Sequence, residues 1–442
     1  MRLLVAITIL LVTSPAFSQE RLTYREVDSL TYSLYEQGAW RELEKESKRA
    51  ISQGYDYYYM RMRAGISSYM RKNYFKAIDH FQEALQFSEG DGNASSYLFW
   101  SYYLNGRYDQ AGGILDQLPS ELSEKLVRES SFKKRSLSAG VLFQNYGTAE
   151  QIAEFTGLFT FLPEGSQVIP ISLNGAWASG ATIQEGGNVL LYGYSFLNRT
   201  NYFYYNYQSV EASLSSQKVY QNEGYIAYNL NINRKLALTP VVHLLRTDYD
   251  YILTSNWGPS QAYVDRLTDN SLLAGMSAYY SPGIVALGVE AYSTWQNGST
   301  ILQGTGTLTL FPFGNSNYYL TSSFSVLQDG NQVEGESQFV TGLEAGFTIG
   351  EKVWINGSYL KGNLKGFASE NGIVVFNGTE DLQVRTGFTI ALPLGRSGFT
   401  LFGGGWFHEA GSSLDTGYNS GSGINRLKFN SKSITGGLKW NF

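Results

Sequence analysis

The chain contains no cysteine, only three histidines and five methionines, and no uninterrupted apolar run long enough to cross a bilayer as a helix. Zero cysteine excludes a disulfide scaffold, a thiolate metal site and a cysteine nucleophile. Charge is scarce as well: Asp, Glu, Lys and Arg make up 16% of the residues, against about 25% in an ordinary soluble chain. The net charge of -5 and the lack of a long basic block argue against a nucleic-acid partner. Four catalytic or cofactor signatures are missing too: the GxSxG elbow, the HExxH helix, the GxGxxG turn and the phosphate-binding P-loop. No catalytic residue, metal site or cofactor is expected. In place of charge, the 442 residues carry 33 tyrosines, 25 phenylalanines and 48 glycines.

The first eighteen residues read as an export signal. Arg2 supplies the positive charge, Leu3 to Val12 the apolar stretch, and Ala16-Phe17-Ser18 the small residues read by a signal peptidase. That stretch is well short of the ~20 apolar residues of a membrane helix. With no cysteine to carry a lipid, a lipoprotein is excluded. The expected domains are a signal peptide over 1–18, helical repeats over 19–120, a linker over 121–135 and a strand-rich domain over 136–442.

Charge density marks the same division. Gln19 to Arg135 holds 34 charged residues in 117, whereas Ser136 to Phe442 holds 36 in 307. Within the first region the pattern repeats every 34 residues. Trp40, Tyr74 and Tyr108 are in phase, as are Leu43, Ala77 and Ala111, and Ala50, Ala84 and Leu118. Gly38 and Gly106 share a phase with Lys72 between them. A fixed period of this length means stacked helix pairs, because one pair cannot bury its own apolar face. The middle copy, with Ala64-Gly65, Tyr74, Ala77, Phe81 and Ala84, resembles the tetratricopeptide repeat; the first copy departs from it by placing Ser47 at the usual aromatic position.

That resemblance implies a concave face, lined by the first helix of each pair, that binds a peptide or other partner. In this register the face carries Tyr32, Ile66 and Trp100 in one row and Tyr35, Tyr69 and Tyr103 in the next, extended by Tyr59 and Met62. Rings of this kind bury a large area with few rotatable bonds. Packing against a neighbouring repeat is the competing role for each of them.

From Ser136 onward the period is two. Phe339, Leu343, Ala345, Phe347 and Ile349 alternate with Gln338, Glu344 and Thr348; Leu382, Val384, Phe388 and Ile390 alternate with Gln383, Arg385 and Thr389. A greasy face and a polar face, segment after segment, fit strands with lipid on one side and a wet interior on the other. A soluble sandwich shows the same alternation, so other features decide. Rings cluster beside short turns, at Tyr279-Tyr280, Phe311, Phe313 and Tyr318-Tyr319, as an interfacial girdle requires. The chain ends Ile434, Gly436, Leu438, Trp440, Phe442 on one face, which resembles the C-terminal strand by which outer-membrane proteins meet their insertion machinery.

The predicted fold is therefore α + β multidomain: N-terminal tetratricopeptide-type helices and a C-terminal antiparallel transmembrane β-barrel in the outer membrane of a Gram-negative bacterium, with the repeats in the periplasm. Seven short turns are read at Pro163-Glu164-Gly165, Asn198-Arg199-Thr200, Asn233-Arg234-Lys235, Tyr280-Ser281-Pro282-Gly283, Gly314-Asn315-Ser316, Gly350-Glu351-Lys352 and Leu394-Gly395-Arg396. They give about 16 strands, with 14 as the runner-up. Strand parity places His243, Glu290, Glu344, Arg385, His408 and Lys439 on the inward face, since a basic residue at the bilayer midplane costs about 2–4 kcal/mol on the lipid face.

The layout resembles that of outer-membrane exporters of bacterial exopolysaccharides, although those have longer repeat arrays. The resemblance implies a conduit fed from the periplasm, with outer-membrane lipid, a periplasmic protein or polymer cargo and the insertion machinery as partners. The rival is a non-conducting anchor that fixes a protein-binding module to the membrane. Small inward residues such as Thr305, Thr307, Ser323 and Ser325 favour the conduit; bulky ones such as Tyr319, Trp354, Phe402 and Trp406 favour the anchor.

Overall fold

A computed structural model describes residues 23–130, 132 and 135–441, apart from 147–149, 152–166, 175, 186–188, 208–209, 212–214, 234, 256–260, 297, 331–336, 351, 378–380, 395–398 and 415–424. The expected signal peptide, the turn at Pro163-Glu164-Gly165 and Gly395-Arg396 of the turn at Leu394-Gly395-Arg396 lie outside these residues. The chain falls into two compact units, Met1–Leu98 and Phe99–Phe442.

Seven helices come first: α1 Tyr24–Glu36, α2 Trp40–Ser52, α3 Tyr58–Met70, α4 Tyr74–Phe87, α5 Gly92–Leu104, α6 Tyr108–Leu115 and α7 Ser120–Ser130. The 34-residue period sets their boundaries. Trp40, Tyr74 and Tyr108 each open the second helix of a pair, and Tyr24, Tyr58 and Gly92 each open the first. Between the helices of each pair the chain turns through a left-handed residue at one phase: Gly38 at φ 65°, Lys72 at 58° and Gly106 at 70°. Glycine adopts that conformation without a Cβ clash, whereas lysine pays for it. The entry to α1 is a capping box, in which the Thr23 N–H donates to Glu26 and the Glu26 N–H donates back to the Thr23 hydroxyl.

The small residues of the repeat permit close helix contact. A Cβ on Gly65 would lie 2.5 Å from the Phe81 ring, so only glycine fits beneath that side chain. Phe81 is fully buried and stacks on Tyr97 at 5.2 Å. At the equivalent phase of the first pair, Ser47 is also fully buried, and its hydroxyl finds no hydrogen-bond partner among the described residues. The stretch 121–135, read as a linker, is largely occupied by α7, whose Leu126 is buried.

The second unit carries fourteen strands of ten or more residues among those described: β1 Arg135–Tyr146, β2 Ala176–Glu185, β3 Val189–Tyr207, β4 Ser215–Tyr228, β5 Leu236–Ser255, β6 Gln261–Tyr280, β7 Val285–Gln296, β8 Ser299–Leu310, β9 Tyr318–Asp329, β10 Gln338–Ile349, β11 Val353–Gly362, β12 Asp381–Pro393, β13 Phe399–Leu414 and β14 Asn425–Asn441. All neighbouring pairs are antiparallel, each strand to the next, and β1 pairs with both β2 (Ala139↔Ala181) and β14 (Ala139↔Trp440). The shorter Gln167–Asn174 pairs with the second half of β3.

One expected turn is not a turn. Asn198-Arg199-Thr200 lies inside the 19-residue strand β3, where the register with β4 shifts between Leu197 and Arg199. A β-bulge places polar residues in mid-strand without ending it. The segments at Asn233, Ser281, Gly314 and Gly350 do connect successive strands, and the last two turn through glycines at φ 71° and 58°.

Side chains sort by parity as period two requires. One face exposes a broad apolar surface, with Leu244, Leu287, Val289, Leu302, Phe324, Phe339, Leu343 and Ile349 all about half exposed or more. The other face is polar or packed. Thr305 and Ser325 share a hydrogen bond at 2.8 Å across β8 and β9, and Thr309 and Thr321 another at 2.9 Å. Of the expected girdle, Tyr280, Phe313 and Tyr318 are exposed, while Phe311 is buried.

Candidate functional site

The polar face of the sheet is occupied by the chain itself. Between β11 and β12, Leu364 to Asn377 folds back as a hairpin, with Ala368–Ser369 paired to Val374–Val375. Its tip, Glu370-Asn371-Gly372, runs through three successive left-handed residues at φ 54°, 56° and 77°. Asparagine and glycine tolerate this conformation; glutamate does so at a cost. Asn371-Gly372 between short apolar runs is a hairpin signal that the sequence contained and that the turn reading passed over.

Side chains from the strands fasten this hairpin along its length. Gln303 of β8 exchanges two hydrogen bonds of 2.8 Å with the Ala368 backbone. The Tyr225 hydroxyl of β4 donates to the Asn371 carbonyl at 2.8 Å. His243 Nδ1 of β5 lies 2.9 Å from the Gly372 carbonyl oxygen, which can only accept, so that nitrogen carries the proton. Asn377 Nδ2 donates to Thr247 of β5 at 3.3 Å.

Apolar contacts complete the seat. Ala368, Ile373 and Val375 pack with Tyr225, Val241, Leu273 and Tyr292; Leu364, Phe367 and Phe376 pack with Ile301, Leu327, Val340 and Leu360. A Cβ on Gly372 would stand 3.0 Å from Leu273 and 3.2 Å from Val241, so the tip meets the sheet wall closely.

Of the expected inward residues, His243 and Arg385 contact this hairpin. His243 is fully buried beneath it. The Arg385 guanidinium lies 3.9 Å from the Trp406 ring centroid and 5.5 Å from that of Phe376, between the sheet and the hairpin. Glu344 accepts from the Tyr319 hydroxyl at 2.7 Å and from Asn356 at 2.6 Å. Glu290 accepts from Tyr292 at 3.1 Å. His408 faces Arg385 in the register of β12 and β13. Lys439 and the terminal Leu438 and Trp440 lie in β14, but their side chains, like Phe442, fall outside the described residues.

The helices of the first unit build a second concavity. An open groove of about 840 Å³ runs across the first helices of the three pairs. From α1 come Arg25, Asp28, Tyr32 and Tyr35; from α3, Tyr58, Tyr59, Met62, Arg63 and Ile66; from α5, Asn93 and Tyr97. Tyr32, Tyr35, Tyr59 and Ile66 of the expected stripe thus share one groove. Tyr69 instead packs edge-on against Tyr97 at 5.4 Å. Trp100 and Tyr103 cluster with Phe99 outside the lining, and the Tyr103 hydroxyl donates to the Ser130 carbonyl at 2.7 Å. Those two rings therefore serve packing.

The groove's charges are largely satisfied within it. Arg63 pairs with Asp28 at 2.7 Å and lies 5.4 Å over the Tyr32 ring. Asp28 also accepts from the Tyr57 hydroxyl at 2.7 Å. Partial burial opposes its ionisation, but the Tyr57 hydroxyl and the Arg63 guanidinium outweigh that and hold its carboxyl below the usual range. Burial and a hydrogen bond to Asp91 push the Tyr58 hydroxyl up, so it stays protonated. Asp28, Arg63, Tyr58, Asn93 and Tyr97 had no place in the expected stripe; the 34-residue phase of Tyr24, Tyr58 and Gly92 could have found the helix face but not its ion pair.

No protein-family model matches the chain, and no curated protein matches it in sequence. Similar solved structures include the toluene transporter TodX of P. putida, at 8% identity and a TM-score of 0.46, covering 70% of this chain and 90% of that one. A FadL homologue of Pseudomonas aeruginosa aligns at 9% identity and a TM-score of 0.39, with the same coverage of both chains. The translocator domain of the autotransporter NalP from Neisseria meningitidis aligns at 11% identity and a TM-score of 0.31, covering 73% of this chain and 96% of that one.

Proposed function

We propose that the strand unit is an outer-membrane β-barrel of fourteen strands, closed by the pairing of β1 with β14, and that it works as a channel narrowed by the Leu364–Asn377 hairpin. The exposed apolar face carries this reading. Val289, Leu244 and Phe339 are 63%, 57% and 55% exposed, and they belong to one face that continues over many strands. A monomeric soluble protein rarely leaves a contiguous apolar patch beyond a few hundred Å², whereas a lipid-facing barrel wall requires one. In this reading Glu344, Arg385, His243 and the hairpin face the lumen. The helix pairs act as a tetratricopeptide-like docking module in the periplasm, with the tyrosine groove as its binding surface. The absence of catalytic signatures fits transport rather than an enzyme.

The manner in which the hairpin is fastened favours a second reading, a non-conducting anchor in which the lumen is filled. Single-channel recording in planar bilayers separates the two. The protein is compared with a variant in which residues 364–377 are replaced by a short glycine-serine linker. The channel predicts small steady openings from the intact protein and a larger conductance from the variant. Silence from both, with folded strands shown by heat-modifiable gel migration, supports the anchor.

A further inference from the structure

From Phe99, midway along α5, the helices belong to the same compact unit as the strands. Their junction with the sheet is specific. In the turn between β8 and β9, the Ser316 N–H donates to Asn105 Oδ1 at 2.9 Å, and the Ser316 hydroxyl donates to the Asn105 carbonyl at 3.0 Å. Asn105 precedes the left-handed Gly106 between α5 and α6, and a Cβ on Gly106 would itself touch the Ser316 hydroxyl at 3.8 Å. On α6, Gln110 Nε2 donates at 3.3 Å to Asn231, between β4 and β5. A short turn between membrane strands lies open to water unless something covers it. Here Asn105 and Asn315 are each 4% exposed.

The same helices are tied to the start of the sheet. Phe132, just before β1, packs edge-on against Phe99 and Tyr103 of α5, and a Cβ on Gly112 of α6 would lie 3.5 Å from its ring. The Tyr103 hydroxyl reaches the Ser130 carbonyl at the end of α7. β1 begins at the turn end of the strands, because Ala139 pairs with Trp440 and Trp440 with Phe399, the first residue of β13. In the closed ring, β8 is the strand farthest from β1, with β2 to β7 between them on one side and β9 to β14 on the other. The turn that Asn105 grips and the strand that Phe132 precedes therefore face each other, and the shortest path between them crosses the mouth. Fourteen strands at about 4.8 Å and about 40° tilt make a ring roughly 25–30 Å across. Three helices at about 8–10 Å between axes are of similar breadth.

We infer that the third helix pair, with α7, is a built-in cover seated across the turn-end mouth of the barrel and latched to its far rim by Asn105 on Ser316. The inference rests on the closed ring proposed above and not on conduction. A solute arriving from the turn end meets this cover first. One arriving from the other end meets the Leu364–Asn377 hairpin, which enters between the far ends of β11 and β12.

The test uses the full chain in lipid nanodiscs and exploits its lack of cysteine. Asn105→Cys with Ser316→Cys is treated with a short bismaleimide beside a control pair, Asn105→Cys with Leu394→Cys, whose second residue follows β12. Cross-linking of the first pair and not of the control is expected; no cross-link in the first, or equal cross-linking in both, overturns the seat. Thr309→Cys reports on the mouth, since Thr309 bonds Thr321 on the inner face at the foot of β8 and is 6% exposed. Its labelling by a membrane-impermeant maleimide is timed with the latch intact and with Asn105→Ala and Gln110→Ala added. Ser316→Ala, which alters no helix, is the second release. Either release should speed labelling about tenfold, as expected when one or two hydrogen bonds hold a local opening. Labelling unchanged by both releases overturns the cover. Neither readout needs current, so a barrel silent in planar bilayers fails the channel reading alone and leaves the cover standing.

Discussion

The two units of this chain reach stability by opposite routes. In the helical unit the apolar core lies inside the stack: Phe81, Leu43 and Met60 are fully buried, and Gly65 admits Phe81. In the strand unit the large apolar side chains go outward, with Val289 63% exposed, while threonines, serines, Glu344 and His243 turn in and pair. The same amino acids obey the same preference in both units. In the proposed reading, what differs is where the apolar medium lies: inside the helix stack in one, and in the lipid around the sheet in the other.

That contrast can be broken from either side. Phe81→Ala leaves a cavity in the helix stack and should cost about 3–5 kcal/mol. Helical circular dichroism should melt early while heat-modifiable migration of the strands is retained. Val289→Arg places a charge on the apolar face and should cost about 2–4 kcal/mol at membrane depth. Refolding into lipid vesicles over a urea series reads that loss; in a soluble protein, arginine at so exposed a position would be nearly neutral.

A smaller effect comes from His80 on α4. Burial first, then the neighbouring Arg61 and Lys76, lower its pKa to about 4. Arg61 Nη1 lies 3.5 Å from His80 Nδ1, a contact that suits the neutral ring. A base whose proton affinity is lowered on folding stabilises the native state fully above the unfolded value near 6.5. That contribution falls as pH drops toward 4, by up to about 3 kcal/mol. Thermal melts of the helical signal at pH 7 and pH 5 should differ accordingly, and His80→Gln should flatten the difference. The smallest effect belongs to Lys72, left-handed where Gly38 and Gly106 are glycines. Lys72→Gly should raise helical stability by about 1 kcal/mol, read from the same melts.

The sequence is most legible where one physical rule acts alone. The 34-residue phase places the helix starts at Trp40, Tyr74 and Tyr108, and period two places Glu344 and Leu343 on opposite faces. It is least legible where rules compete. Asn198-Arg199-Thr200 has turn composition but sits in a strand, because a bulge absorbs its polarity. The hairpin around Asn371-Gly372 follows local hairpin chemistry, but its place against Tyr225, His243 and Gln303 depends on contacts with distant strands. Trp100 and Tyr103 share the helical phase of the groove tyrosines, and Phe99 and Ser130 take them for packing instead.

The central claim is that the two faces of the sheet meet different solvents. Nitroxide labels at single cysteines introduced from Phe339 to Ile349, in the protein refolded into lipid vesicles, test it directly. Collisional access to oxygen and to a water-soluble nickel chelate would be measured at each position of β10. The account predicts a period of two, with oxygen favoured at Phe339, Leu343, Phe347 and Ile349 and with Val340, Gly342, Glu344 and Gly346 shielded from lipid. Equal access to the nickel chelate on both faces would contradict it.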